Sequence, residues 1–443
     1  MFVALSSAQT WSYLGYSGLS GGLGQFVSVA VDSVGTPYVA YSSHPDGFAV
    51  AVKKCVGSSW VTVGLKNFSG PNQATFVRIA ISPDGVTPYV VYSDADNGYK
   101  ATVKKFNGTE WVTVGNALLS AAYAASTSLA FAPDGTPYLS YEDFGNGYKI
   151  TVMKLSGTQW TAVGTPGFST KDIGTTSLAI AKDGTPYVAY SEALSATNTL
   201  HVMKFNGVTW ESVGNTSYYY SIQYPSLAIA PDGSLYVAFE NDNNSAKATV
   251  LHLVNNAWSV IGSSISDSRS FYVKLVVSGD GTPYLTYTDA NAWAATTKKF
   301  ANSTWSQVGI STAAPNYYMD FALAKDGSMY VGFDDYNKSN WVSVFKMNGV
   351  TTDSKPIVLS PITLNVFQNA NSEVIIHYQI NQPTKASLTV YNIQGQLIST
   401  LLNGNVKADY NEVSWNTTNY PKGVYMIELR TSATSQKSKI CIQ

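Results

Sequence analysis

Charge is what this chain has least of. Charged residues make up 12% of its 443, about half the usual share. They nearly cancel, 27 Lys and Arg against 28 Asp and Glu. A net charge of −1 with no basic run leaves no field to steer the chain toward nucleic acid or an acidic membrane. There are two cysteines, Cys55 and Cys441, too far apart to suggest a disulfide framework. The four histidines, His44, His201, His252 and His377, form no zinc pattern. No metal and no cofactor is therefore assigned. No stretch reaches the ~18 uninterrupted apolar residues that cross a bilayer. Nucleophile elbows, phosphate loops and Cys–His pairs are also missing, so no catalytic residue is assigned and binding is preferred to catalysis.

What is abundant is aromatic and periodic. Aromatics reach 13%, with 30 Tyr, on a background of Ser, Thr, Asn and Gly that suits an extracellular β-protein. Trp-x-x-[VLI]-Gly recurs with Trp at 11, 60, 111, 160, 210, 258 and 305, a spacing of 47 to 51 residues. A period of that size marks a solenoid, propeller or array. The unit is clearest at 177–214, where four strand-like runs follow one another: Ser177–Ile180, Pro186–Tyr190, Leu200–Phe205 and Trp210–Gly214. Asp183-Gly184 and Asn206-Gly207 separate them as hairpin turns do. Four short antiparallel strands per repeat predict a propeller blade.

Seven copies of the first three strands start near Phe26, Phe76, Ser126, Thr175, Pro225, Tyr272 and Met319. The last copy lacks its Trp motif, whereas Trp11–Gly15 is a fourth strand with no partner before it. The N-terminal strand should therefore complete the C-terminal blade, closing a seven-bladed ring over residues 9–350 and removing two open sheet edges. Residues 1–8 read as the remnant of a signal peptide cut before Gln9.

Antiparallel order puts the near-identical Asp-Gly turns at Asp84, Asp134, Asp183, Asp232, Asp280 and Asp326 on one face. The opposite face carries the second-to-third and inter-blade loops. Its aromatics include Tyr218, Tyr219, Tyr220, Tyr224, Phe271, Tyr272, Trp293, Tyr317, Tyr318 and Trp341. Aromatics with polar tips among Ser, Asn and Gly suit glycan stacking or protein contact, or else packing between blades. An acid recurs just past the second-strand aromatic, at Asp94, Asp143, Glu192, Asp289 and Asp335. A position filled in nearly every repeat reads as a strand-end hydrogen-bonding role, since a glycosidase needs one asymmetric pair of carboxylates. A glycan-active hydrolase or lyase and a passive extracellular scaffold remain the alternatives to a binding protein, and the chain is expected to be monomeric.

The period stops after Gly349. Residues 351–361 read as a linker, and 362–443 as six or seven short strands of a small immunoglobulin-like sandwich. Within it, Leu388–Leu397 (LTVYNIQGQL), Glu412–Trp415 (EVSW), Lys422–Leu429 (KGVYMIEL) and Lys437–Gln443 (KSKICIQ) carry Tyr391, Gly395, Trp415, Gly423, Tyr425, Lys437 and Lys439. In order and spacing these blocks resemble the type A C-terminal sorting domain of the type IX secretion system. The usual Asn-Pro-Asn-Pro-like opening appears here as Gln368–Asn371 without prolines. The resemblance implies a Bacteroidota-like envelope, the type IX machinery as partner, and a secreted or surface-displayed protein.

Overall fold

The computed structural model describes residues 10–116, 118–192, 199–214, 222–262, 265–309, 313–347, 362–368, 373–380, 384–407, 409–432 and 435–442. The signal-peptide remnant and the linker lie outside them. The chain forms two compact units, Met1–Thr351 and Thr352–Gln443.

Among the described residues the first unit is built from seven four-stranded antiparallel sheets. One sheet stands for all: Gly24–Val31 innermost, then Pro37–Ser43, Ala49–Val56 and Ser59–Thr62. The other inner strands are Ala74–Ile81, Ala124–Phe131, Ile173–Ile180, Ile222–Ile229, Ser270–Val277 and Pro315–Leu323. Each inner strand packs on the next, and the last packs on the first, which gives a closed, propeller-like ring. Closure comes from the N-terminus: Ser12–Tyr13 pairs antiparallel with Trp341–Met347, with Ser12 opposite Lys346. The core lies between sheets. One cluster joins Val50 and Val52 of the first sheet to Val77, Ile79 and Val90 of the second, as strands with two apolar faces require.

The Trp motif turns out to be the outer fastening of this ring. Each indole N–H donates to the carbonyl just before the motif glycine of the preceding sheet. Trp60 reaches Leu14, Trp111 Val63, Trp160 Val114, Trp210 Val163, Trp258 Val213, Trp305 Ile261, and Trp11 closes the circle on Val308, all at 2.7 to 3.0 Å. The glycine is needed twice over. Gly115 has φ of +73°, and a Cβ there would stand 2.9 Å from Trp160 Cδ1, so a side chain would push the indole off its acceptor.

The inner strands begin earlier than the sequence pattern suggests, at Ile173 rather than Ser177 in the fourth sheet. All of them carry a β-bulge near the start. The extra residue breaks the alternation that strand recognition depends on, and it turns a side chain toward the ring axis.

The second unit has two sheets: Ile362–Gln368, Glu373–Ile380 and Asp409–Asn416 in one, and Leu397–Val406, Thr384–Asn392, Gly423–Thr431 and Ser435–Ile442 in the other. Val374, Ile376 and Trp415 of the first meet Leu388, Val390, Ile427 and Leu429 of the second in one core.

Candidate binding site

At the bulges, the residue turned inward is Phe26, Phe76, Ser126, Tyr224 or Tyr272, each at φ between 50° and 54°. Non-glycine residues rarely adopt this left-handed conformation, and bulky ones least of all. Here the ladder on both sides of the bulge holds them. With Thr175, Thr176, Tyr317 and Tyr318 they surround a cavity of about 320 Å³ at one mouth of the central channel. The bulges lie at the ends of the inner strands that pair with the ends of the second strands, Gly24 opposite Ser43 for example. The cavity therefore opens on the loop-rich face, opposite the Asp-Gly turns.

Its rim is lopsided. Rings run in contact from Tyr148 through Phe144, Tyr123, Phe76 and Phe26 to Tyr318, with centroids 4.4 to 6.4 Å apart. A second run links Tyr224, Tyr272, Phe271 and Trp293 at 5.2 to 6.3 Å. The remaining arc, at Ser126, Thr127, Thr175 and Thr176, carries hydroxyls that bond within the ring, Ser126 donating to Gly174 O at 2.8 Å and Thr127 to Phe76 O at 2.6 Å, and keep lone pairs that can accept. Burial holds the Tyr224, Tyr272 and Tyr318 hydroxyls above their ordinary pKa, so they stay protonated donors at neutral pH.

One step deeper, the seven inner strands contribute Ser28, Arg78, Ser128, Ser177, Ser226, Lys274 and Asp320 at equivalent positions. The four serines accept the backbone N–H of the next sheet, Ile79, Leu178, Leu227 and Leu275, at 3.0 to 3.2 Å. Asp320 does the same for Val29 at 3.0 Å and also accepts from Ser28 Oγ at 2.8 Å. Arg78 and Lys274 have no acceptor to offer, so the inner belt of inter-sheet bonds is interrupted at these two positions. Both line the cavity. Lys274 Nζ stands 3.6 Å from Asp320. Burial lowers the pKa of both cations, with Asp320 opposing.

Of the residues expected from the sequence, Tyr224, Tyr272, Tyr317 and Tyr318 come together on the cavity. Phe271 and Trp293 stack beside it, with the Arg269 guanidinium 4.8 Å from the Phe271 ring centroid. Trp341 lies apart, against Gly18 and bridged to Leu23. Tyr218, Tyr219 and Tyr220 fall outside the described residues. Four of the five recurring acids hold strand ends, Asp289 by accepting from Asn291 N and Ala292 N, whereas Glu192 takes Thr170 and Lys171. Asp94, Asp143 and Asp335 each accept an N–H of the short 3-10 turn that follows. The sequence reading missed Phe26, Phe76, Arg78 and Lys274. The available signal was the one inner-strand column where serine gives way to charge.

Beside the rim, Glu240 is fully buried. Its Oε1 accepts from Arg269 Nε and Nη2 at 3.0 and 2.9 Å, while Oε2 has no hydrogen-bond partner among the described residues. Burial lifts its pKa to about 7 against the pull of Arg269. Among the described residues no group of acids, histidines or cysteines could hold a metal ion, and no helix is long and apolar enough to cross a membrane.

In the second unit the sorting-motif residues have structural roles. Gly395 (φ +78°) closes a turn onto Asn392 O. Trp415 is buried between Tyr420 and Tyr425, and Tyr425 Oη donates to Pro421 O at 2.8 Å. Tyr391 pairs opposite Met426 and Lys439 opposite the same residue. Gly423 opens its strand, and Lys437 lies 3.7 Å from Glu428.

Residues 368–443 match the secretion system C-terminal sorting domain. This is the domain of proteins exported by type IX secretion to the cell surface or extracellular space, and the chain carries it. Among solved structures about three quarters of the chain resembles a polysaccharide lyase of the PL25 ulvan lyase family, described as bound to -[GlcA(1-4)Rha3S]-. Identity is 11%, over 76% of this chain and 95% of that one, with a TM-score of 0.50. Hydrazine synthase of Kuenenia stuttgartiensis is similar at 12% identity over 78% and 98%, also at 0.50. PorZ, a surface component of the type IX secretion system of Porphyromonas gingivalis, aligns with 100% of this chain at 13% identity and a TM-score of 0.48, and the chain spans 61% of its length. At such identities the likeness is one of fold, an all-β protein of repeated four-stranded sheets. No curated protein matches the chain.

Proposed function

We propose that the exported chain is a glycan-binding protein that uses the mouth of the central channel on its loop-rich face. The aromatic-rimmed cavity carries this reading. Sugar rings present C–H faces that stack on aromatics, and hydroxyls that exchange hydrogen bonds with Tyr, Ser and Thr. The two runs of rings supply the first, and the rim tyrosine hydroxyls with the accepting lone pairs of the Ser126–Thr176 arc supply the second. In the inner column the one carboxylate, Asp320, is engaged by Ser28 and Val29, so that column holds no pair of carboxylates of the kind glycoside hydrolysis uses.

A glycan array probed with the full chain tests this, followed by affinities for the best hit. Tyr317→Ala, at a residue 61% exposed, and Tyr272→Ala should each weaken binding by about tenfold, the loss of one stacked ring. An array with no hit, or full affinity in both folded variants, would refute it.

A further inference from the structure

The ring repeats one design seven times, so departures from it are informative. At the inner column, five of the seven residues fasten one sheet to the next through an acceptor oxygen. Arg78 and Lys274 give up that bond and put cations where serine would stabilise the ring. Local rules broken without structural gain are characteristic of functional sites. The two are also underused. Among the described residues, the Arg78 guanidinium makes a single hydrogen bond, from Nη1 to Val77 O at 3.0 Å, which leaves most of its N–H donors open. Among the described residues Lys274 has only the loose 3.6 Å pair with Asp320 Oδ1, while Oδ2 of the same carboxylate takes Ser28 and Val29. Asp334, beside the rim tyrosines, is turned to the backbone N–H groups of Tyr317 and Tyr318 at 2.7 to 3.1 Å.

We infer that Arg78 and Lys274 receive an anionic substituent, a carboxylate or a sulfate ester, of a glycan whose ring rests on the aromatic rim; the inference builds on the glycan-binding reading and specifies the glycan as acidic. A planar guanidinium fork matches either group with two parallel N–H···O bonds, and the ammonium adds a point charge. Both lie below the rim and are partly buried, where an ionic hydrogen bond outweighs the same contact at the open surface. The four-sheet precedent for serine makes the probing variants mild. Arg78→Ser and Lys274→Ser install the residue that the ring itself uses at this column.

The test compares binding of oligogalacturonate, dextran sulfate and unmodified dextran to the full chain by calorimetry, for wild type, Arg78→Ser, Lys274→Ser, the double serine variant and Arg78→Lys. One acidic probe should bind at least about tenfold tighter than dextran, and which of the two does so separates carboxylate from sulfate. Each serine variant, checked as folded by its circular dichroism, should lose that preference, and Arg78→Lys should recover part of it. Wild-type affinity for the acidic probe should fall with added salt, while the double serine variant shows no such dependence. A wild type that binds neutral glycans on the array but prefers neither acidic probe, or serine variants that keep the preference, overturns the anion site and leaves glycan recognition standing. A chain that binds nothing on the array overturns both.

Discussion

Replacing Trp11 by alanine should unfasten the ring at its one covalently interrupted sheet. Trp11 is 5% exposed and packs with Phe321, Val331 and Phe345. Its indole donates to Val308 O at 3.0 Å. Truncating a buried Trp costs about 3–5 kcal/mol, and the orphaned carbonyl alone accounts for about 1–3 kcal/mol of that. The same change at Trp160, in mid-chain with an equivalent bond to Val114, serves as the control. A frayed terminus would lose almost nothing, whereas a latch should lose as much as Trp160. The assay is urea unfolding of the full chain followed by tryptophan fluorescence, with hydrogen exchange of Trp341–Met347, the strand that Ser12–Tyr13 covers. Trp11→Ala within about 0.5 kcal/mol of wild type, with protection of that strand unchanged, would refute the closure argument.

Three further outcomes follow from the same contacts. Gly115→Ala should destabilise by about 1–3 kcal/mol, measured by thermal melting, because the new Cβ meets Leu155 and Trp160 inside 3.0 Å at a positive φ. Gly135→Ala, also at positive φ but with open space around it, should cost less. Arg78→Ser should raise stability by about 0.5–1.5 kcal/mol, the value of one restored inter-sheet hydrogen bond, and a clear loss would make Arg78 structural. Glu240 has a folded pKa of about 7, above its ordinary 4.5. The folded state therefore holds its proton more tightly, and the contribution is full below about pH 4.5 and is lost as pH rises through about 7. Melting temperature should decline over that window, and Glu240→Gln should flatten the decline. A slope that survives the substitution would assign it to another group, Glu142 first, whose pKa burial also lifts to about 7.

The repeat was legible because its outer fastening demands one residue type. Only an indole reaches the neighbouring carbonyl from that strand, and only glycine leaves it room, so Trp-x-x-[VLI]-Gly survives in every unit that has a fourth strand. The face was legible too, since strand parity fixes which loops share an end, and Tyr224, Tyr272, Tyr317 and Tyr318 were expected there. The cations were not. Arg78 and Lys274 follow a bulge that shifts the register by a residue, so alternation counted from the strand's apparent start gives them no direction. The regular acids at Asp94, Asp143 and Asp335 are the more visible pattern in the sequence, and they cap turns. Loop membership alone places Trp341 with the rim aromatics. Its side chain lies over Gly18, a contact between segments more than 300 residues apart that no local pattern encodes.

The most direct measurement is a crystal structure of the full chain with an acidic oligosaccharide bound. The account predicts a carboxylate or sulfate oxygen at about 2.7–3.2 Å from the Arg78 guanidinium and the Lys274 ammonium, with the sugar ring against Tyr272 or Tyr318. Density for the sugar on the Asp-Gly face, or at the rim with its charged group turned away from both cations, would contradict it.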